Sequence, residues 1–297
     1  MATMRSTPAR DPPAGSPPLL PSDDELVAAA TRFRDAPRPM DFLSGQPLDG
    51  GTWTGFAYTT VAEPIAWVKR ARSIGETHMQ IFAYEQLLAI PPHTRQNIRV
   101  PKVYRVIEHD DDVYIVMEYV HGHTLQNLLK EGGVDEELVN QLIAQVANAM
   151  SLFANFQVPS NAKPGPGEGC LIQHVLFKDQ EAPIEYDSVM TVKQATPTID
   201  FSQERMCFCY SDIEDHNFIF TDATQGYLYV IDFEHAAFLP VSFMSYALFC
   251  SSSWLPQDVG NRTKLSGAIS SDSKNLRAMA WLQHIFTRCR PHIGLPF

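Results

Sequence analysis

The chain has 297 residues, 44 % of them apolar, enough to fold as two modest lobes or one large domain around a real core. Its 23 Lys and Arg against 34 Asp and Glu leave a net charge of −11, which argues against nucleic acid or anionic lipid as the main partner, since both need a basic face. No apolar run approaches the roughly 18 residues of a membrane-spanning helix, so no membrane partner is expected.

Residues 1–21 carry many prolines without periodicity and are expected as a disordered tail. Residues 22–46 are expected to hold an N-terminal helix and its lead-in. There Ser22 stands three residues before Glu25, a capping box opening "SDDELVAAATRF", with acids at the positive helix end. From residue 47 the pattern alternates, and "GTWTGFAYTT" and "IAWVKR", joined by "VAEP", predict a hairpin. "GETHMQIFAYEQLLAI" predicts a helix stopped by Pro91-Pro92. "KVYRVIE" and "VYIVMEYV" predict two more strands around the acidic turn "HDDD". Residues 47–120 therefore read as a small antiparallel sheet with one inserted helix.

Beyond Gly122, Leu138, Val139, Leu142, Ile143, Val146, Met150 and Phe153 recur at the spacing of a long amphipathic helix. "PSNAKPGPGEG" (159–169) is a connection, and "SVMTVKQA" is a short helix candidate. "MCFCYSD", "NFIFTD" and "YLYVIDF" are short strands, and "SKNLRAMAWLQHIFTRC" is a last helix. Residues 121–297 read as a second, larger and mainly helical unit. The cysteines Cys170, Cys207, Cys209, Cys250 and Cys289 are odd in number, with no Cys-x-x-Cys pair. That argues against a disulfide framework or zinc site and favours a reducing, cytoplasmic setting. Cys207 and Cys209 share a strand face, where buried thiols act as small apolar groups. His121-x-His123 is read as an ordinary loop.

"YSDIEDHNFIF" followed by "YLYVIDFEHAAFLP" is the constellation that carries chemistry. A loop explains Asp212, Asp215 and Asn217 alone. It does not explain Asp232, which ends a second apolar run 15 residues after Asn217. Phosphoryl transfer from ATP needs phosphates and Mg²⁺ held in line and one carboxylate near the attacking hydroxyl. Asp212 is placed to orient or deprotonate that hydroxyl, while Asn217 and Asp232 offer hard oxygen ligands for Mg²⁺. Asp215 is the natural decoy, a loop-stabilising or solvated acid. Lys69 closes "AWVK" on a strand, where a cation reaches α- and β-phosphates. Two helical acids, Glu76 and Glu85, are candidates to hold it, and a weak apolar stripe favours the face of Glu76. Met117, Glu118, Tyr119 and Val120 end a strand before Gly122, leaving backbone groups for an adenine ring between apolar side chains.

The order of strand lysine, helical Glu, "VMEYV", D-x-x-x-x-N and "IDF" resembles the protein-kinase-like superfamily. Within it the chain is most similar to the aminoglycoside phosphotransferase and choline-kinase-like family, in its fungal small-molecule-kinase-like branch. "GEGCLIQHVLF", "EYDSV", "YSDIEDHNFIF" and "VIDFEHAAFLPVSF" carry that likeness, which covers roughly residues 47–250. It implies an α+β, two-lobed fold and a phosphotransferase using ATP and Mg²⁺ on an unidentified hydroxylated acceptor. It also implies Asp212 as base, Asn217 and Asp232 as metal ligands, Lys69 on the phosphates, and Glu118 and Val120 as hinge contacts. Departures stand beside it: Tyr210-Ser211 replaces His-Gly, and Gly50, Gly51 and Gly55 do not form G-x-G-x-x-G. These favour a second expectation, a pseudokinase binding nucleotide or acting as a scaffold. A protein serine/threonine kinase is disfavoured, because no Ala-Pro-Glu follows Asp232.

Overall fold

The computed structural model describes residues 18–36, 55–60, 63–130, 134–167, 170–177, 199–224, 226–263 and 273–288. Residues 1–17 of the tail expected over 1–21, the glycines Gly50 and Gly51, and the "SVMTVKQA" helix candidate lie outside the described residues.

Helix α1 (Asp23–Asp35) starts as its sequence dictates. The Ser22 hydroxyl accepts from the Glu25 amide at 3.3 Å, and the Glu25 carboxylate accepts from the Ser22 amide at 3.0 Å. Strands β1 (Gly55–Thr59), β2 (Pro64–Ala71), β4 (Val103–His109) and β5 (Asp112–Met117) form an antiparallel sheet in the order β1-β2-β5-β4. Alternation along β2 decides what faces where. Ala66 and Val68 turn to α1 and pack with Leu26, Val27 and Ala30, whereas Trp67, Lys69 and Ala71 turn the other way. Helix α2 (Ile74–Ala89) lies on that second side, burying Glu76, Met79, Gln80, Ala83 and Leu87 at three- to four-residue spacing. The short helix α3 (Pro92–Arg95) begins at Pro92, where a missing amide is harmless.

The strand expected through Val120 stops at Met117. Glu118 makes one further backbone bond, to Lys102 O at 2.8 Å, and the chain then leaves the sheet. It pairs again as β6 (His123–Thr124) before α4 (Leu125–Lys130) and the long α5 (Glu136–Ala154). The Asp135 carboxylate caps α5 by accepting from the Leu138 amide at 2.8 Å. Strand β7 (Met206–Tyr210) pairs with β10 (Ala236–Pro240), and β8 (Phe218–Phe220) forms a hairpin with β9 (Leu228–Val230). The helices α6 (Val241–Phe249), α7 (Trp254–Arg262) and α8 (Lys274–Arg288) follow. The architecture is α+β, with antiparallel sheets and a larger helical second half, as expected.

The expected short strands of the second half are present, and they take in a strand from the first half. A third sheet runs β3-β9-β8-β6, and its edge strand β3 (Ile98–Arg99) comes from the first half of the chain and pairs parallel to β9. This sheet joins the halves at the cleft. The main core gathers Leu142, Val146, Met150 and Phe153 of α5 against Phe208, Phe233 and α6. Cys207 and Cys209 are fully buried within it, and burial pushes the Cys207 thiol up to about 12. They behave as apolar residues there. Among the described residues, no helix is long and apolar enough to cross a membrane.

Candidate active site

The Lys69 ammonium, turned off the sheet by the pleat of β2, donates to Glu76 Oε1 at 2.5 Å and to Asp232 Oδ1 at 2.8 Å. Lys69 is 5 % and Glu76 2 % exposed, so this pair is withdrawn from water. Glu85, the other candidate, lies on the exposed side of α2. Burial pushes the Glu76 carboxyl up, against the Lys69 charge, to about 7. Burial lowers the basicity of Lys69, but the Asp232 and Glu76 carboxylates outweigh it and hold the ammonium well above its ordinary value. Burial likewise raises Asp232, yet the nearby lysine brings it below its usual value.

Asp232 sits at φ 60°, in a left-handed conformation that is uncommon outside glycine, though more open to Asp than to most residues, and here its surroundings hold it. The surroundings are visible one residue earlier. The Ile231 amide donates to Asn217 O at 3.1 Å, and Ile231 O accepts from the Tyr210 hydroxyl at 2.5 Å. Both backbone groups of Ile231 are thus fixed, and Asp232 is carried with them. Tyr210 is fully buried, and burial together with the Asp212 charge raises its hydroxyl well above the ordinary value, so it stays a donor. Neither role of Tyr210 is legible from spacing.

Asp212 and Asn217 are joined directly. The Asn217 side-chain amide donates to Asp212 Oδ2 at 2.9 Å and to Asp212 O at 3.0 Å. With its nitrogen committed to these acceptors, Asn217 keeps its carbonyl oxygen for another partner. Asp232 likewise has Oδ1 on Lys69 and a second oxygen to offer. A continuous bonded path therefore runs from Glu76 through Lys69, Asp232, Ile231 and Asn217 to Asp212, joining residues 163 positions apart. Asp215 stands off this path and accepts from the Gln126 side chain at 3.1 Å.

A cavity of about 340 Å³ opens beside the path. Trp67, Met117, Ile219 and Ile231 supply apolar walls, Lys69 and Asp232 close one end, and Glu118, Tyr119 and Val120 line it where β5 has ended. The Glu118 carboxylate is occupied, accepting from the Tyr229 hydroxyl at 2.9 Å and the Lys102 amide at 3.2 Å. Gly122 completes the bend, since a Cβ there would lie 2.4 Å from Phe220 O. A wider recess of about 570 Å³ lies along Glu136, Glu137 and Asn140 of α5, with no cation among its lining residues.

Two hard oxygens, from Asn217 and Asp232, suit a divalent ion that completes its shell with water and phosphate oxygens, as Mg²⁺ does. Among the described residues no cluster of three His, Cys, Asp or Glu could hold a metal alone.

Comparison with known proteins adds three observations. A family model described as "Phosphotransferase enzyme family" matches residues 60–243. A search of curated proteins gives no match. Among solved structures, the GDP complex of wild-type aminoglycoside 2'-phosphotransferase-IIIa is similar at 13 % identity and TM-score 0.48, covering 90 % of this chain and 89 % of its own. The GDP and kanamycin complex of APH(2")-IIIa is similar at 12 % identity and TM-score 0.44, covering 88 % of each chain.

Proposed function

We propose, from the premise that the chain belongs to the phosphotransferase enzyme family, that it moves the γ-phosphate of ATP to a hydroxyl of a small molecule with the help of Mg²⁺. The observation that carries this reading is the bonded path from Glu76 to Asp212, whose members Lys69, Ile231 and Asp232 line a largely apolar cleft of about 340 Å³. Adenine enters between Trp67 and Ile231, against the backbone of Glu118 and Val120. Lys69, held by Glu76, reaches the phosphates. Asn217 and Asp232 hold Mg²⁺, which when bound neutralises charge on the phosphates. Asp212 accepts the proton of the acceptor hydroxyl, and its carboxylate is kept in place for this by Asn217. The motifs "YSDIEDHNFIF" and "VIDFEHAAFLP" support the fungal small-molecule-kinase-like branch, and the five scattered cysteines support a cytoplasmic setting.

One observation favours a second reading, a pseudokinase that binds nucleotide or acts as a scaffold. The connection between β1 and β2 is "TVAE", with exposed Glu63 and no glycine, where a phosphate-cradling loop prefers bare amides. Calorimetry with ATP, with and without Mg²⁺, combined with a turnover screen over pooled hydroxylated metabolites including aminoglycosides and choline, separates the two. ATP binding that weakens on chelation, plus transfer to one pool, supports the enzyme. Equal affinity without Mg²⁺ and no transfer in any pool supports the scaffold.

A further inference from the structure

His235 has no part in the path above, yet it lies against its end. It follows Glu234 directly before β10 and is 2 % exposed. Its carbonyl accepts from both the amide and the hydroxyl of Ser211, at 3.3 and 3.1 Å, so its backbone is tied to the residue preceding Asp212. Its Nδ1 lies 3.8 Å from Asp212 Oδ2 and its Nε2 lies 3.5 Å from Glu234 Oε1. Neither ring nitrogen has a hydrogen-bond partner among the described residues.

That is unusual for an imidazole retained only for packing, because a buried polar atom without a partner loses its hydration and gains nothing in return. His174 in the same protein gives the contrast. It too is fully buried, but its Nε2 meets Phe243 O at 3.1 Å and its Nδ1 meets the Leu176 amide at 3.0 Å. His174 is a satisfied core residue; His235 leaves an unpartnered ring nitrogen 3.8 Å from one carboxylate oxygen. Asp212 Oδ2 already receives the Asn217 amide at 2.9 Å, and an inward shift of under about 1 Å brings Nδ1–H to bonding distance of the same oxygen.

Resting on the phosphotransferase reading, we propose that His235 is a positioning residue for Asp212. It donates Nδ1–H to Oδ2 in the reacting state, so that Asn217 and His235 together occupy this oxygen and Oδ1 faces the acceptor. The acceptor oxygen bonds to the γ-phosphorus, the bond from phosphorus to the bridging oxygen breaks with its electron pair leaving on ADP, and the acceptor's proton passes to Oδ1. His235 touches none of these atoms. It removes the alternative in which Oδ2 competes for the proton and Asp212 turns away. The partly exposed Glu234 carboxylate is free to turn to water, so it does not compel the ring hydrogen onto Nε2.

The test has an arm that needs no turnover. Nitrogen NMR of the His235 ring in the full chain should show its hydrogen on Nδ1, and that resonance should move in Asp212→Ala. A ring bearing hydrogen on Nε2 alone, or a resonance indifferent to Asp212→Ala, overturns the proposal. The second arm follows ATP hydrolysis, with water as acceptor. His235→Leu should lower kcat about 10- to 100-fold with KM for ATP unchanged, as supporting-shell donors commonly do. His235→Asn, whose amide stands where Nδ1 was, should restore most of it. Leu and Asn variants equally impaired overturn the proposal in favour of packing. A parent that binds ATP but never turns over sinks the phosphotransferase reading instead, and the spectrum alone then decides the contact.

Discussion

Lys69→Met isolates the buried charge at the centre of the cleft. Methionine keeps most of the aliphatic stem and removes the ammonium. Glu76, 2 % exposed and with Oε2 already lacking a partner, then faces an apolar wall with no counter-charge. Breaking a buried ion pair by removing one member costs about 3–5 kcal/mol while the remaining group stays charged. A carboxyl escapes most of that cost by taking up a proton. In the parent, burial pushes the Glu76 carboxyl up from its ordinary 4.5 to about 7, so the folded chain holds the extra proton between those values. Its contribution is thus largest below pH 4.5 and declines as pH rises toward 7. Without Lys69 the folded value rises further, and the decline continues above 7 at about 1.4 kcal/mol per pH unit. Urea unfolding should therefore show a loss of about 3–5 kcal/mol at pH 8.5 and a smaller one at pH 5.5, where Glu76 has taken up a proton and what is missing is the hydrogen bonds and the counter-charge to Asp232. Lys69→Met combined with Glu76→Leu should recover at least half of the loss at pH 8.5. A loss of the same size at both pH values, or a double variant weaker than the single, would refute this account of the pair.

Asp212→Asn should retain ATP binding by calorimetry and lose about 10²–10⁴-fold in phosphate transfer, while Asp215→Asn stays near the parent; equal activity in both removes Asp212 as base. Glu76→Ala should impair turnover more than Glu85→Ala, because Glu85 lies on the exposed side of α2 and makes no contact with Lys69; the reverse order in a steady-state assay contradicts the pairing. Tyr210→Phe leaves Ile231 O unmet in the core and should cost about 1–3 kcal/mol in urea unfolding, together with weaker Mg²⁺-dependent ATP binding as Asp232 loses its support. A stability loss without any change in nucleotide binding would show that Tyr210 does not hold Asp232. Gly122→Ala should destabilise the chain bend at the cleft, read as a lower thermal midpoint, since its Cβ would meet backbone oxygen rather than a movable side chain.

Much of this was legible in the sequence, and the reason is range. The capping box at Ser22, the alternation that turns Lys69 away from Ala66 and Val68, and the helical spacing of Leu142, Val146 and Phe153 are set by neighbours within a few residues. Asp212 and Asn217 meet across a single turn, so their spacing carried their contact. What tertiary structure alone decided lies where the partners are far apart along the chain. The choice of Glu76 over Glu85 was weak because α2 is bordered by the sheet on one side and by the second half on another, which blurs a single apolar stripe. Pairing of β3 with β9 was invisible, because two residues hold no period and their partner arrives over 100 residues later. Tyr210 on Ile231, and His235 beside Asp212, depend on how β7, β9 and β10 are brought together. Side-chain identity supplied the chemistry at those positions, and packing supplied the distances that make the chemistry usable.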